Sequence, residues 1–363
     1  MIDMMYITCQ LSVTEYKTCR ERLGQFLDKN FHSHKLRKDR YDKTALVTNG
    51  LAKWGFQEIR LRKGCWGITM EIRFRPQLLI NQQGYYKLTT IQQFKQISIL
   101  FNYLLLDLLS LPVPDFFAWT AKRVEAAVDL VVDEQLIPKY IVLFKKGYIP
   151  EYFWREKQTR KYWDSVTNVY LMSANKTVNW YNRYATLQDK AKKSNKQYLD
   201  YTETKGILRF ETQVRDNMKS VMETLNQTYL KQEVMKFYNL IVGKGDYYSL
   251  NKALSIVRQK TPNQTKRMAL ERLLQLLDKC GSIHAAKEFF FEGQNADKAA
   301  DKFSKRINQL RKLGINPVLL PPEWGIESLE NLYDKINAAA DKEGDCKIFC
   351  VNSHSTFHYN ETK

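Results

Sequence analysis

Four stretches of this chain alternate apolar and polar residues with a period of two, a pattern that admits little besides a sheet with one oily face and one polar face. In Thr69-Met70-Glu71-Ile72-Arg73-Phe74-Arg75, the residues Glu71, Arg73 and Arg75 share a side. Arg123, Glu125 and Asp129 share one in the stretch Arg123 to Asp129, as do Arg209, Glu211 and Gln213 in Leu208 to Val214. A fourth stretch aligns Thr177, Asn179, Tyr181 and Arg183. Any one such strand is an ordinary set of surface ion pairs. Three of one design beside a fourth carrying a tyrosine point to a site.

The remaining punctuation places these strands in an α+β fold built on an antiparallel sheet. Residues 4–14 read as a first strand, 15–29 as a helix and 44–80 as a strand meander whose last strand Pro76 closes. Thr89 or Thr90 is a candidate cap for a helix to about Leu111, before Pro112 and Pro114. Strands are expected over 120–131, 166–173, 176–184 and 206–215, with Ser173-Ala174-Asn175 as a turn and a lysine-rich loop or helix end over 191–197. After about residue 216 the period becomes helical. Helices are expected over 267–279 with Gly281 beyond it, over 283–290, and from Asn295 to Gly314. Three helices with a short middle one resemble a helix-turn-helix module, and the third exposes Lys298, Lys302, Lys305 and Arg306 as candidate DNA contacts. The expected organisation is a catalytic domain over 1–220, a helical DNA-binding domain over 221–340 and a polar tail over 341–363.

Charge narrows the partner. With 57 Lys and Arg against 39 Asp and Glu, the formal net charge is +18, which suits a polyanion, most commonly nucleic acid. Aromatics make up 13 % of residues, and Tyr and Trp interleaved with Lys and Arg suit single strands, where bases stack and phosphates need cations. The chain has no phosphate-binding Walker loop, no dinucleotide-binding glycine pattern and no Gly-x-Ser-x-Gly elbow, which argues against the common NTPases, dehydrogenases and hydrolases. Its six cysteines form no zinc-type pair; Cys346 and Cys350, followed by His354 and His358, sit in a polar tail, and all read as reduced thiols of a cytosolic protein. No signal peptide is expected, and the run Ile97 to Val113 is too short and too polar for a membrane span, so no membrane partner is expected.

Cutting a phosphodiester needs a nucleophile, charge neutralisation and positioning. Glu71, Glu125, Asp129 and Glu211 are the carboxylates available to hold a divalent cation, and oxygen-only ligation suits Mg²⁺ or Mn²⁺. Arg123 and Arg209 are placed to hold phosphate or to orient those carboxylates, and Lys176 is a further DNA contact at the start of the fourth stretch. Tyr181 is a candidate nucleophile with Tyr170 and Tyr184 as rivals; a tyrosine with pKa about 10 needs a cation, metal or base beside it.

The opening Met1-Ile2-Asp3-Met4, the Arg123-Val124-Glu125 strand, Asn179-Trp180-Tyr181-Asn182-Arg183 and Gly206-Ile207-Leu208-Arg209-Phe210-Glu211 occur in that order, and Ala299 to Pro317 follows with Arg311-Lys312-Leu313-Gly314-Ile315. Together these resemble the gene II-type replication initiators of filamentous phages and small rolling-circle plasmids, with the later stretch similar to that family's gene X-type region. The resemblance implies an HUH-like nicking endonuclease fold. It also implies a tyrosine, at Tyr181, that nicks the plus-strand origin with Mg²⁺ or Mn²⁺, becomes linked to the 5′ phosphate, leaves a 3′ hydroxyl as primer, and later rejoins the strand. It places an acidic residue at Glu125, where the usual one is Asp, and the Arg-Phe-Glu motif at Arg209, Phe210 and Glu211, with Arg183 and Arg209 steadying phosphate. Origin DNA, single-stranded at the nick, is the implied partner, with host helicase and polymerase beside it, in the cytoplasm of a bacterial host. Many members carry a Glu shortly after the nucleophile, where this chain has Thr186. The wider superfamily's His-hydrophobe-His strand is matched only by His32-Ser33-His34, read as surface residues. A mobilisation relaxase with the same chemistry and a non-catalytic origin-binding protein are the alternatives.

Overall fold

The computed structural model describes residues 1–30, 37–38, 44–47, 51, 55–65, 67–81, 84, 86–156, 165–194, 200–215, 219–292 and 296–341. His32, His34, Cys346, Cys350, His354 and His358 lie outside them.

The period-two stretches form strands β1 (Ile2–Leu11), β2 (Arg37–Lys38), β3 (Thr44–Val47), β4 (Phe56–Gly64), β5 (Gly67–Phe74), β6 (Thr120–Val131), β7 (Asn168–Met172), β8 (Lys176–Asn182) and β9 (Ile207–Arg215). They make one antiparallel sheet in the order β2-β3-β4-β5-β1-β6-β9-β8-β7, so the strands of the expected polar faces lie side by side. Gly206, with φ +72°, takes the left-handed turn that leads into β9, and its carbonyl accepts the Val132 N–H just past β6. That clamp sets the register in which Arg209 faces Asp129 and Gln213 faces Glu125.

The apolar side of each strand faces a layer of helices. Phe74 packs with Phe56, Phe101 and Phe116, bringing in the helix Phe94–Leu109. Farther along, Trp180 stacks on Phe144 at 5.5 Å and meets Phe210 and Tyr238, which seats the helices Ile137–Lys146 and Gln227–Ile241. The helix expected to start at Thr89 or Thr90 starts at Phe94, because Thr89 bonds through its backbone N–H and carbonyl to Ile2, at 2.8 and 3.0 Å.

Beyond β9, Ser249, Asn263 and Ser282 cap the helices Leu250–Lys260, Gln264–Cys280 and Ile283–Phe291, and the helix Ala296–Lys312 follows. The chain then returns: the helix Tyr333–Asp341 packs on β6 and on Gln227–Ile241. Asn331 ties the return by accepting from the Tyr238 hydroxyl at 2.9 Å and donating to the carbonyls of Gly243 and Gly245. One apolar core therefore runs across residue 220, with Val234, Tyr238 and Ile336 in the same cluster as Val128 and Phe210.

Candidate functional site

The polar face of the sheet is partly covered. Directly after β8 the chain turns into the helix Arg183–Ser194, which packs back on β8 and β9 with Leu187 and Ala191 buried. A cleft of about 420 Å³ remains, lined by residues of β1, β5, β6, β7, β8 and β9 and by Thr186 and Lys190 of that helix.

Three carboxylates meet in it. Oxygens of Asp3, Glu125 and Glu211 lie within 4.8 Å of one another, and all three side chains are buried. Among the described residues this is the one acidic, His or Cys group of three or more so gathered. Asp3 was invisible to the alternation of β1. Strict alternation would put Asp3 on the oily side with Met5 and Ile7. Between Ile2, which faces Ala126, and Met5, which faces Val124, two residues of β1 oppose the single Glu125, a β-bulge that turns Asp3 to the polar side. Three arginines surround it. Arg209 Nη1 lies 2.9 Å from Asp3, Arg75 3.6 Å and Arg183 3.8 Å. Burial pushes the Asp3 carboxyl upward, but Arg75, Arg209 and Arg183 outweigh it and hold Asp3 well below the usual range. Glu125 goes the other way. Burial, then the nearby Glu211, pushes it up to about 8 against the pull of Arg123, which is hydrogen-bonded to it.

Tyr181 stands at the edge of this group. Its hydroxyl donates to Glu211 Oε2 at 3.1 Å and accepts from Arg183 Nη1 at 3.4 Å, while Gln213 fixes the other Glu211 oxygen at 3.0 Å. Burial, then Glu211, raises the pKa of the phenol far above its ordinary value, although Arg209 and Arg183 oppose the shift. The rival tyrosines differ. Tyr170 lines the cleft but points its hydroxyl at Met172 Sδ, and Tyr184 packs its ring on Tyr201 with Lys205 above it.

Two of the four expected metal ligands are thus together, Glu125 and Glu211, and two stand apart. Glu71 faces Thr8 across β1, beyond the row of Tyr6, where it accepts from the Tyr6 hydroxyl and from Lys122 Nζ at 2.6 Å. Asp129 is gripped through both oxygens by Arg209, at 2.6 and 2.7 Å. Arg209 also bonds Asp3 and the carbonyl of Tyr86, so its donors hold protein groups and it acts by positioning Asp3. Arg183, expected on β8, is instead the first residue of the following helix; fully buried, it donates to Tyr86 O at 3.2 Å while its Nε has no hydrogen-bond partner among the described residues. Arg123 lines the cleft with Arg73 and Arg75. Lys176 pairs with Glu233 at 2.9 Å. Lys298, Lys302 and Lys305 are exposed on their helix, and Arg306 lies over the Phe290 ring, far along the chain from the cleft.

Comparison with known protein families and with characterised proteins finds no match to this chain.

The sequence reading gave no site role to Asp3, Arg75 or Lys190. Arg75 ends the polar row of β5 and had a visible signal in the alternation. Lys190 follows Thr186 by four residues, one helical turn, so recognising the helix after Tyr181 would have placed it. Although much of Lys190 is exposed, desolvation and the neighbouring Arg75 and Arg183 lower its pKa. Among the described residues no helix is long and apolar enough to cross a membrane.

The donor set suits a divalent cation. It is all oxygen and it converges. Asp3, Glu125 and Glu211 are the residues that could hold a metal ion.

Proposed function

We propose that this chain is an HUH-like DNA strand-nicking and -joining enzyme acting as a rolling-circle replication initiator, with its helical C-terminal region contributing DNA contacts. One observation carries the reading: the Tyr181 hydroxyl is hydrogen-bonded to Glu211, itself one of three gathered carboxylates. Tyr181 Oη attacks the phosphorus, and its proton passes to Glu211. The bond from tyrosine oxygen to phosphorus forms, the bond from phosphorus to the 3′ oxygen breaks, that oxygen takes up a proton from water, and the strand is left with a 5′-phosphotyrosine link and a 3′ hydroxyl primer. Attack by that hydroxyl on the link rejoins the strand and returns the phenol. A bound Mg²⁺ or Mn²⁺ would neutralise charge on the phosphate and favour the phenolate. Arg183 contributes a buried guanidinium beside the attacking oxygen, and Arg73, Arg75 and Arg123 make the cleft attractive to the phosphate backbone. Asn168, Asn179 and Gln213 offer amide contacts along the floor.

Two observations favour a second reading, a non-catalytic origin-binding protein. Thr186 lines the cleft where the gene II-type initiators that the sequence resembles often carry Glu, and Tyr181 is only 5 % exposed. The deciding experiment incubates wild type and Tyr181→Phe with Mn²⁺ and supercoiled DNA carrying the cognate origin. The enzyme reading expects nicks and a 5′-linked adduct from the wild type and neither from the variant. Tight binding with no nick from either protein overturns it in favour of the second reading, and an adduct kept by the variant moves the nucleophile to Tyr170 or Tyr184.

A further inference from the structure

The helix Phe94–Leu109 is buried on one side and displays an unusual row on the other. Its inner side chains, among them Phe94, Ile97, Phe101 and Leu105, pack on the apolar face of the sheet. Its outer face carries Ile99, Tyr103 and Leu106, which are 63 %, 67 % and 51 % exposed. Scattered exposed apolar residues are ordinary. Here three of the ten large ones among the described residues fall on one face of one helix, at spacings of four and three. Exposure on this scale within a single face marks an interaction surface.

The charges on the same face say which partner fits. Lys95, Ile99, Tyr103 and Asp107 form one row at a constant spacing of four residues, a single ridge of the helix surface. The ridge reads positive, apolar, apolar, negative, and Lys95 and Asp107 are exposed and form no ion pair among the described residues. They are the only charged residues of the helix. Such a ridge is complementary to its own reverse. Two copies laid antiparallel, with these ridges interdigitated at the crossing of about 50° that such rows favour, put Lys95 of each against Asp107 of the other and Ile99 against Tyr103. Leu106 flanks the ridge and is covered at the same time.

We infer that this face is a two-fold, self-complementary contact, and that the chain forms a weak homodimer through the helix Phe94–Leu109. The same patch serves both subunits, as a closed two-fold contact requires. The helix lies on the apolar side of the sheet and the carboxylate cleft on the polar side, so the contact leaves both clefts open. A single helix pair is a small interface, so the association is weak. The inference stands apart from the proposed reaction, since no residue of the ridge lines the cleft.

Sedimentation velocity of the full chain, without DNA and at low salt, from about 5 to 300 µM tests it. Wild type should pass from monomer to dimer over that range. Lys95→Asp and Asp107→Lys each place like charges at both symmetry-related pairs, and should weaken self-association roughly tenfold. The two variants mixed in equal amounts should associate at least as well as wild type, because each then meets its opposite. Leu106→Ser should weaken the dimer without touching charge. A wild type that stays monomeric throughout overturns the inference. So does a dimer that ignores all three substitutions, or a mixture no tighter than either variant alone. These positions are exposed, so folding is unaffected by design, and matching circular dichroism of the variants verifies it.

Discussion

Glu125→Gln should make the metal-free protein more stable at alkaline pH while abolishing its response to Mn²⁺. Glu125 is 3 % exposed, and burial together with Glu211 lifts its carboxyl to about 8 from an ordinary 4.5. A carboxyl raised on folding makes the native state bind the extra proton. Its effect on stability is nil below the unfolded value, grows unfavourable as pH rises from about 4.5 to about 8, and is constant above that. A shift of that size at about 1.4 kcal/mol per unit sets an upper bound of roughly 5 kcal/mol. Glutamine keeps the oxygen that Arg123 needs and loses the charge. With an unfolding entropy of about 2.1 cal/mol/K per residue over 363 residues, each kcal/mol is worth about 1.3 °C, so the variant should melt up to about 6 °C above wild type at pH 9 and level with it at pH 4.5. Saturating Mn²⁺ at about 100 times its dissociation constant should then add about 2.7 kcal/mol to wild type and nothing to the variant. Differential scanning fluorimetry across pH, with and without Mn²⁺, reads all of this. Parallel pH profiles for the two proteins, or equal Mn²⁺ stabilisation of both, would refute the electrostatic account of the three-carboxylate group.

Wild-type affinity for Mn²⁺ should rise with pH and flatten above about 8, since the cation must displace the Glu125 proton; isothermal titration in two buffers of different ionisation enthalpy reads the proton released. Asp3→Asn should cost about 3–5 kcal/mol in urea unfolding, because Arg75, Arg183 and Arg209 lose their shared counter-charge, and Mn²⁺ should no longer stabilise the protein. The Asp3 contribution is present above the ordinary pKa of 3.8 and disappears as pH falls through the depressed native value, so the wild-type advantage over Asp3→Asn should shrink in acid. Ser110→Gly should stabilise by about 0.5–1 kcal/mol, since Ser110 ends its helix at φ +49° and is the one non-glycine residue at positive φ among those described; a midpoint unchanged or lowered in urea would contradict this.

Strands β6 and β9 were legible almost to the residue, because each has one oily and one polar side and a period of two survives tertiary context. That legibility extended to Glu125, Glu211 and Tyr181, which share the polar side. It failed at Asp3 because a bulge inverts the parity that the argument relies on, and no local residue pattern announces a bulge. Glu71 and Asp129 sit on the expected side but in other rows, each matched to a cation, Lys122 or Arg209, whose position depends on register. Arg183 was named but set on the strand, and Lys190 escaped, because Asn182, whose side-chain oxygen accepts the Ala185 N–H, starts a helix immediately after β8, in a polar, lysine-rich stretch with weak periodicity. Lys176 looked like a phosphate contact from composition alone; only the fold brings Glu233 to it.

The placement of Asp3 on β1 also spreads the site along the chain. Asp3, Glu125 and Glu211 lie on three adjacent strands, yet more than 200 residues of chain separate the first from the last. On a ribosome the strand that carries Asp3 emerges first, and its arginine partner Arg209 and fellow carboxylate Glu211 emerge long afterwards. Contacts of such sequence separation form late and set the folding rate. The three-carboxylate cleft is therefore complete only when β9 docks beside β6, since Arg209 and Glu211 arrive with that strand. Slow amide exchange in β1, β6 and β9 should report one shared opening, tightened as a unit when the three carboxylates take up Mn²⁺.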